Sequence, residues 1–115
     1  MISTYKELLA AMKAARDLIS DHHRWCRGTM AMDSRGNHLD SAKSYGACRF
    51  CGVGAWERCS APHLSVITPG LQMLNSKSVD MYGPHNHLPA VNDGLGRQDV
   101  LKVFDAVIAD LEEKS

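Results

Sequence analysis

The residues best suited to chemistry are cysteines and histidines in the middle and the second half of the chain. Cys48 and Cys51 form a Cys-x-x-Cys pair, the spacing from which half of a tetrahedral zinc site is commonly built. Cys59 and the histidines of the His85-Asn86-His87 sequence are further possible ligands, which tertiary folding would have to bring to that pair. One hypothesis is therefore a zinc site that draws on Cys48, Cys51, Cys59, His85 and His87.

The same cysteines also fit a purely structural role. The pattern of residues 47–60 predicts a helix, and a narrow stripe of small residues on one face of that helix would suit close packing. The stripe consists of Cys48, Cys51, Ala55 and Cys59. On such a helix Cys51 and Cys59 would lie about 12 Å apart along the axis, too far to bind one zinc ion. The sequence leaves both interpretations open.

A catalytic cysteine is a further alternative. A cysteine nucleophile needs a neighbouring base and a lowered pKa, and the N-terminus of a helix can lower that pKa. Cys48 or Cys51 would meet the second requirement, but no spacing in the chain assigns a histidine partner. His85 and His87 also fit a polar loop without function. Because no catalytic constellation is recognisable, we expect a protein that is not an enzyme.

The length and the charge of the chain limit the classes of protein to which it can belong. Its 115 residues, 44% of them hydrophobic, suffice for one domain with a buried core, which we expect to span residues 1–115. The 13 basic and 13 acidic residues cancel, which disfavours a nucleic-acid-binding protein. No apolar run reaches the roughly 18 residues of a membrane span, and the N-terminus lacks the layout of a signal peptide. We therefore expect a cytoplasmic protein whose thiols are reduced or bind metal.

Two amphipathic helices frame the sequence. From Thr4 to about Ser20, and again from Arg97 to Glu113, apolar residues recur every three or four positions and form one stripe. Two such helices bury their stripes most simply against each other. After the first helix, a turn sequence at residues 33–36 predicts a short β-hairpin.

The remaining segments carry weaker signals. Residues 64–74 predict a short helix, which would start near Thr68 because Pro69 suits the first turn of a helix. Residues 75–96 are rich in proline and glycine and predict a loop. The predicted fold is thus mainly α, a small single-domain helical fold of about four helices with a short inserted hairpin.

Three segments of the chain resemble a known family. The segments are 25–33, 50–56 and 91–97, and together with the terminal helices they are similar to the Domain of Unknown Function 6197 family of small bacterial and phage proteins. The residues that match the family pattern are Trp25, Gly28, Asp33, Gly36, Cys51, Gly54, Ala55, Asn92 and Asp93. Cys48 lies outside that pattern, which counts against an obligatory zinc pair.

The resemblance implies scaffold roles for most of the matching residues. Trp25 would fill the centre of a small core, and Asn92 with Asp93 would fix the turn into the last helix. Arg27 stands where the family more often has glutamine. The functional alternative is that Trp25, Arg27, Asn92 and Asp93 line one binding pocket.

These observations favour a non-catalytic cytoplasmic binding or interaction protein with an unidentified protein partner. The resemblance implies a phage or prophage accessory factor, directed at the host or against its defence. The alternative is a small zinc protein or a cysteine-dependent enzyme that uses Cys48 and Cys51, and we expect no cofactor other than zinc. A homodimer that pairs apolar helix faces is a third hypothesis.

Overall fold

Five α-helices and a small three-stranded sheet make up the protein. The computed structural model describes residues 2–114, with side chains from residue 5 to residue 114. The elements are α1 (Ile2–Ser20), a 3₁₀-helix (His22–Arg24), β1 (Ala31–Met32), β2 (His38–Leu39), β3 (Arg49–Phe50), α2 (Gly52–Ser60), α3 (Leu64–Tyr82), α4 (Leu88–Gly94) and α5 (Arg97–Lys114). The helical content of 65% confirms the mainly α prediction, although five helices exceed the predicted number. Among the described helices, none is long and apolar enough to cross a membrane.

The two terminal helices form as predicted and pack against each other. Near one end of the contact, the Tyr5 hydroxyl donates to the backbone carbonyl of Leu111 at 3.0 Å. Near the other end, the Arg16 guanidinium binds both carboxylate oxygens of Asp105, at 2.9 and 3.4 Å. Because α1 begins near the end of α5, the two helices are antiparallel, and they bury their apolar stripes in the core.

The predicted hairpin is present, and a third strand extends it. β1 pairs antiparallel with β2, with Ala31 opposite Leu39. In the turn, Asp33 Oδ1 accepts hydrogen bonds from the backbone N–H groups of Arg35 and Asn37, each at 2.9 Å. β3, which the sequence did not predict, pairs antiparallel with the other edge of β1 and gives the order β2-β1-β3.

The helix predicted for residues 47–60 is wrong in its first part. Residues 49 and 50 form β3, and the backbone N–H of Cys48 donates to the carbonyl of Met32 at 2.9 Å. Hydrogen bonding to a neighbouring strand overrode the local helical pattern, because strand formation depends on the partner more than on intrinsic preference. Cys48 therefore lies outside any helix.

Helix α2 begins at Gly52, and Cys51 is its N-cap residue. The Cys51 Sγ accepts a hydrogen bond from the backbone N–H of Gly54 at 3.2 Å, the role that serine or aspartate usually fills. The predicted stripe is thereby reduced to Ala55 and Cys59, since Cys48 and Cys51 precede the helix.

The helix predicted within residues 64–74 is present, but it starts earlier and is longer than predicted. Helix α3 has 19 residues, and Pro69 lies in its second turn rather than in its first. The loop predicted for residues 75–96 instead contains the end of α3 and all of α4. Asn75 Oδ1 accepts a hydrogen bond from the N–H of Leu88 at 2.9 Å and fixes the start of α4 against α3.

Contacts with Trp56 explain how α3 continues through Pro69. The indole of Trp56, only 1% exposed, lies where a Cβ at Gly70 would be, and its N–H donates to the carbonyl of Ile67 at 2.9 Å. This tertiary contact holds the turns on both sides of the proline, which alone would weaken a helix. Trp56 therefore occupies the core position that the family resemblance implied for Trp25, and Trp25 is half-buried at its edge.

Gly54 provides the first testable prediction. A Cβ at this position would overlap the backbone carbonyl oxygen of Met30, which cannot move without shifting the sheet. We expect Gly54→Ala to lower the free energy of unfolding by about 1–3 kcal/mol, the usual cost of overpacking. Gly94→Ala is the matched control, because a Cβ at Gly94 would meet nothing within 4 Å. Urea unfolding that gave equal stabilities for the two variants would contradict this packing.

Candidate functional site

The side-chain amide of Asn92 connects three separate segments of the chain. Asn92 lies in α4 and is fully buried. Its Oδ1 accepts hydrogen bonds from Trp25 Nε1 at 2.8 Å and from the backbone N–H of Gly52 at 3.0 Å. Its Nδ2 donates to the backbone carbonyl of Cys26 at 3.1 Å and to Asp93 Oδ1 at 3.0 Å. We call these four hydrogen bonds the Asn92 network.

The Asn92 network uses the whole hydrogen-bonding capacity of the amide. A primary amide has an oxygen with two lone pairs and a nitrogen with two N–H groups, and here each has a partner. A carboxylate in the same position could not donate to the carbonyl of Cys26. The network therefore requires asparagine, and none of its capacity remains for a ligand.

Asp93 extends the network to the exposed surface. Its Oδ1 accepts from Asn92 and also from the backbone N–H of Gly28, at 2.9 Å. Gly28 has a φ of +80°, a conformation that favours glycine. Asp93 is exposed, and its second oxygen, Oδ2, has no hydrogen-bond partner among the described residues. That oxygen is available to a ligand.

The four residues predicted to line one pocket lie together, but not all of them line the same cavity. The Arg27 guanidinium lies over the Trp25 ring, 5.4 Å from the ring centroid, so the two make a cation–π contact on the outer side. Asn92 and Asp93 line a cleft of about 270 Å³ beside them. The complete lining of this cleft, which we call the α2–α4 cleft, is Gly28, Thr29, Met30, Cys51, Val53, Pro89, Asn92 and Asp93.

Most lining residues of the α2–α4 cleft escaped the sequence prediction. Met30, Val53 and Pro89 contribute apolar surface, and none of the three was predicted to belong to a site. Met30 and Val53 lie within segments that resemble the family, whereas Pro89 had no such signal. The cleft exists because the Asn92 network brings the start of α2 beside α4, which spacing along the chain does not reveal.

The thiol of Cys51 lies in the cleft as a neutral group. A cysteine at a helix N-terminus commonly has a lowered pKa. Here burial raises the pKa of Cys51, and it outweighs the opposing hydrogen bonds from the backbone N–H groups of Gly54 and Val53. The described residues that line the cleft include no histidine that could act as a base. The arrangement thus lacks an activated nucleophile.

The residues predicted to bind zinc are spread over different elements. Cys48 precedes β3, Cys51 caps α2, Cys59 lies near the end of α2, and His85 and His87 are exposed in the connection from α3 to α4. Within the described part of the chain, one set of three residues places its ligand atoms within 4.8 Å of one another. That set is Asp21, His22 and His23, all exposed. The consecutive Asp-His-His sequence was its only signal.

The Asn92 network gives a prediction about stability. In Asn92→Ala the Trp25 indole N–H, the Gly52 N–H and the Cys26 carbonyl lose their partner, and an unsatisfied buried group costs about 1–3 kcal/mol. We expect the free energy of unfolding to fall by at least about 3 kcal/mol in urea titrations. Asn37→Ala, which removes an exposed turn amide, should cost about 1 kcal/mol or less. Similar losses in both variants would show that the network is not a main source of stability.

The buried thiol of Cys26 gives a prediction about pH. Burial, with a smaller contribution from Cys51, raises the pKa of Cys26 from 9.0 to about 11. Between these values the unfolded chain loses this proton while the folded protein keeps it, so stability falls as the pH rises. We expect a loss of about 2 kcal/mol from this group between pH 9 and 11. Cys26→Ala should make the decline of stability with pH shallower, and an unchanged decline would refute the assignment.

Comparison with known proteins places the chain in a family. A family model described as "Family of unknown function (DUF6197)" matches residues 3–110. No curated protein and no solved structure matches the chain. The match covers nearly the whole sequence, including every residue of the Asn92 network, and it confirms the resemblance found in the sequence. The chain belongs to the DUF6197 family, whose function is unknown.

Proposed function

We propose that this protein is a non-catalytic binding protein whose α2–α4 cleft receives a lysine or arginine side chain of a partner protein. The observation that carries this proposal is the unpartnered Oδ2 of Asp93 at a cleft whose other lining is largely apolar. A basic side chain has an apolar stem and a charged end, so it matches both features of the cleft.

The fixed position of Asp93 supports this assignment. Two hydrogen bonds, from Gly28 and Asn92, hold Oδ1, so the carboxylate does not have to be ordered when a cation binds. Groups that are positioned before binding lose less conformational entropy on association. The apolar surfaces of Met30, Val53 and Pro89 would bury the stem of the ligand side chain.

Several features support a binding role over a catalytic one. Burial keeps the Cys51 thiol neutral, since it raises the pKa of this cysteine. The Asn92 amide has no free donor or acceptor with which to stabilise a reacting group.

A phage or prophage accessory role, the cytoplasmic location and homodimerisation stay predictions that rest on the sequence.

The zinc alternative has less support than the cleft. Its five predicted ligands lie in three separate regions: Cys48 before β3, Cys51 and Cys59 at α2, and His85 with His87 in the connection from α3 to α4. Cys51 already caps α2, and burial raises the pKa of Cys59. Zinc binding by these residues stays a prediction. The metal content of untagged protein measures it directly.

The proposed cleft function can be tested with a small cation that resembles an arginine side chain. We expect n-butylguanidinium to shift the backbone NMR signals of Gly28, Thr29 and Val53 in a saturable way, and n-butanol to bind more weakly. Asp93→Asn keeps the oxygen that accepts from Gly28 and Asn92 but removes the charge. This variant should bind n-butylguanidinium about fivefold more weakly, as expected for an exposed ion pair.

Two controls make this test decisive. Asp40→Asn removes the same charge from another exposed position, and it should leave the affinity unchanged. The urea stability of Asp93→Asn should stay close to that of the unmodified protein, which separates lost binding from lost structure. Equal affinities of the cation for the unmodified protein and for Asp93→Asn would contradict the proposal, as would shifts that lie outside the cleft.

A further inference from the structure

A second depression lies apart from the α2–α4 cleft and has a different character. It is an open surface depression with a volume of about 440 Å³, and it lies where the 3₁₀-helix, the hairpin turn and β3 meet. Its lining residues are Asp21, His23, Arg24, Ser34, Cys48 and Arg49. We call it the basic depression. It shares no lining residue with the α2–α4 cleft.

Backbone pairing brings two arginines of the basic depression together. Trp25 and Phe50 form a parallel β-bridge, and the Cys26 N–H donates to the Phe50 carbonyl at 3.1 Å. Arg24 and Arg49 immediately precede the two bridged residues, so they occupy corresponding positions on adjacent stretches of chain. Both arginines line the depression.

The two guanidinium groups of the basic depression outnumber its one carboxylate, Asp21. Among the described residues, Arg24 and Arg49 form no ion pair, whereas Lys13, Arg16 and Lys77 each bind a carboxylate. Like charges in adjacent positions of paired segments are unfavourable in themselves. A bound anion would remove this repulsion.

The single carboxylate of Asp21 offsets part of the charge of the two arginines and leaves the basic depression with a net positive charge. Its Oδ1 accepts a hydrogen bond from the backbone N–H of His23 at 2.9 Å and lies 3.3 Å from His23 Nδ1. These interactions lower the pKa of Asp21, and the backbone hydrogen bond contributes most. Asp21 is thus held at the 3₁₀-helix that it caps, and within the described part of the chain it forms no ion pair with either arginine.

We propose that the basic depression binds the phosphate group of a small phosphorylated molecule. Arginine presents a planar array of N–H donors that matches two phosphate oxygens, and two adjacent arginines can hold one phosphate from two sides. The Ser34 hydroxyl lines the same space and can donate a further hydrogen bond.

Other occupants fit the basic depression less well. A nucleic acid requires a basic track along several phosphates, whereas this chain has 13 basic and 13 acidic residues and no net charge. A divalent metal would find ligand atoms at Asp21, His22 and His23, within 4.8 Å of one another. It would also face two unpaired guanidinium groups, whose charge opposes a cation.

The proposal can be tested by NMR titration with pyrophosphate at constant ionic strength. We expect saturable shifts of the backbone signals of residues 21–24, 34 and 48–49. Arg24→Gln and Arg49→Gln should each weaken binding about tenfold, and Arg49→Lys, which keeps the charge but loses the planar donor array, should weaken it less. Lys102→Gln, which removes one positive charge from the exposed face of α5, should bind as the unmodified protein does.

Each alternative outcome has a defined meaning. All variants should unfold at the temperature of the unmodified protein, because the substituted side chains are exposed. Absence of saturable shifts, or an equal loss in Lys102→Gln, would overturn the proposal. Zinc that shifts His22 and His23 while pyrophosphate shifts nothing would replace it with a metal site. A short single-stranded oligonucleotide that binds more tightly than pyrophosphate, through residues outside the basic depression, would also overturn it.

Discussion

The buried amide of Asn92 is the interaction on which the rest of this structure depends. It fixes the start of α2 through Gly52, the segment after the 3₁₀-helix through Trp25 and Cys26, and the surface carboxylate of Asp93. Each partner is a polar group that would be costly to bury alone, so the amide offsets several penalties at once. The amide thus joins α4 to the start of α2 and to the segment at Trp25 and Cys26.

The same interaction determines where binding can occur. Asn92 has no remaining donor or acceptor, and the Trp25 indole N–H is also occupied. Two of the four residues predicted to form a pocket therefore act as structural supports. Asp93 is the exposed member, with one oxygen fixed and the other available. The α2–α4 cleft thus combines a rigid interior with a single charged group at its surface.

The sequence predicted the elements whose signals are local and missed those that depend on distant contacts. The terminal helices carry long apolar stripes, and the turn at residues 33–36 has its own hydrogen-bonding side chain in Asp33, so both were correctly predicted. Helix α3 continues through Pro69 because Trp56 packs on Gly70. β3 forms because β1 lies beside it. The site followed the same rule: Asn92 and Asp93 were singled out, but as turn residues, whereas they lie in α4 and bind distant segments, and the apolar lining of the cleft was missed.

The residues that resemble the family pattern lie close together in this structure. Trp25, Gly28, Cys51, Asn92 and Asp93 belong to the pattern, and all five take part in the Asn92 network or directly adjoin it. The residues that carry the resemblance to the family are thus residues that position α4 and the cleft in this chain. The arginines of the basic depression do not belong to that pattern, although the bridge that aligns them lies directly beside the network. The hydrogen bonds of Asn92 and the bridge beside them fix the backbone there, so the two arginine side chains can form a separate site without altering the contacts that hold α4.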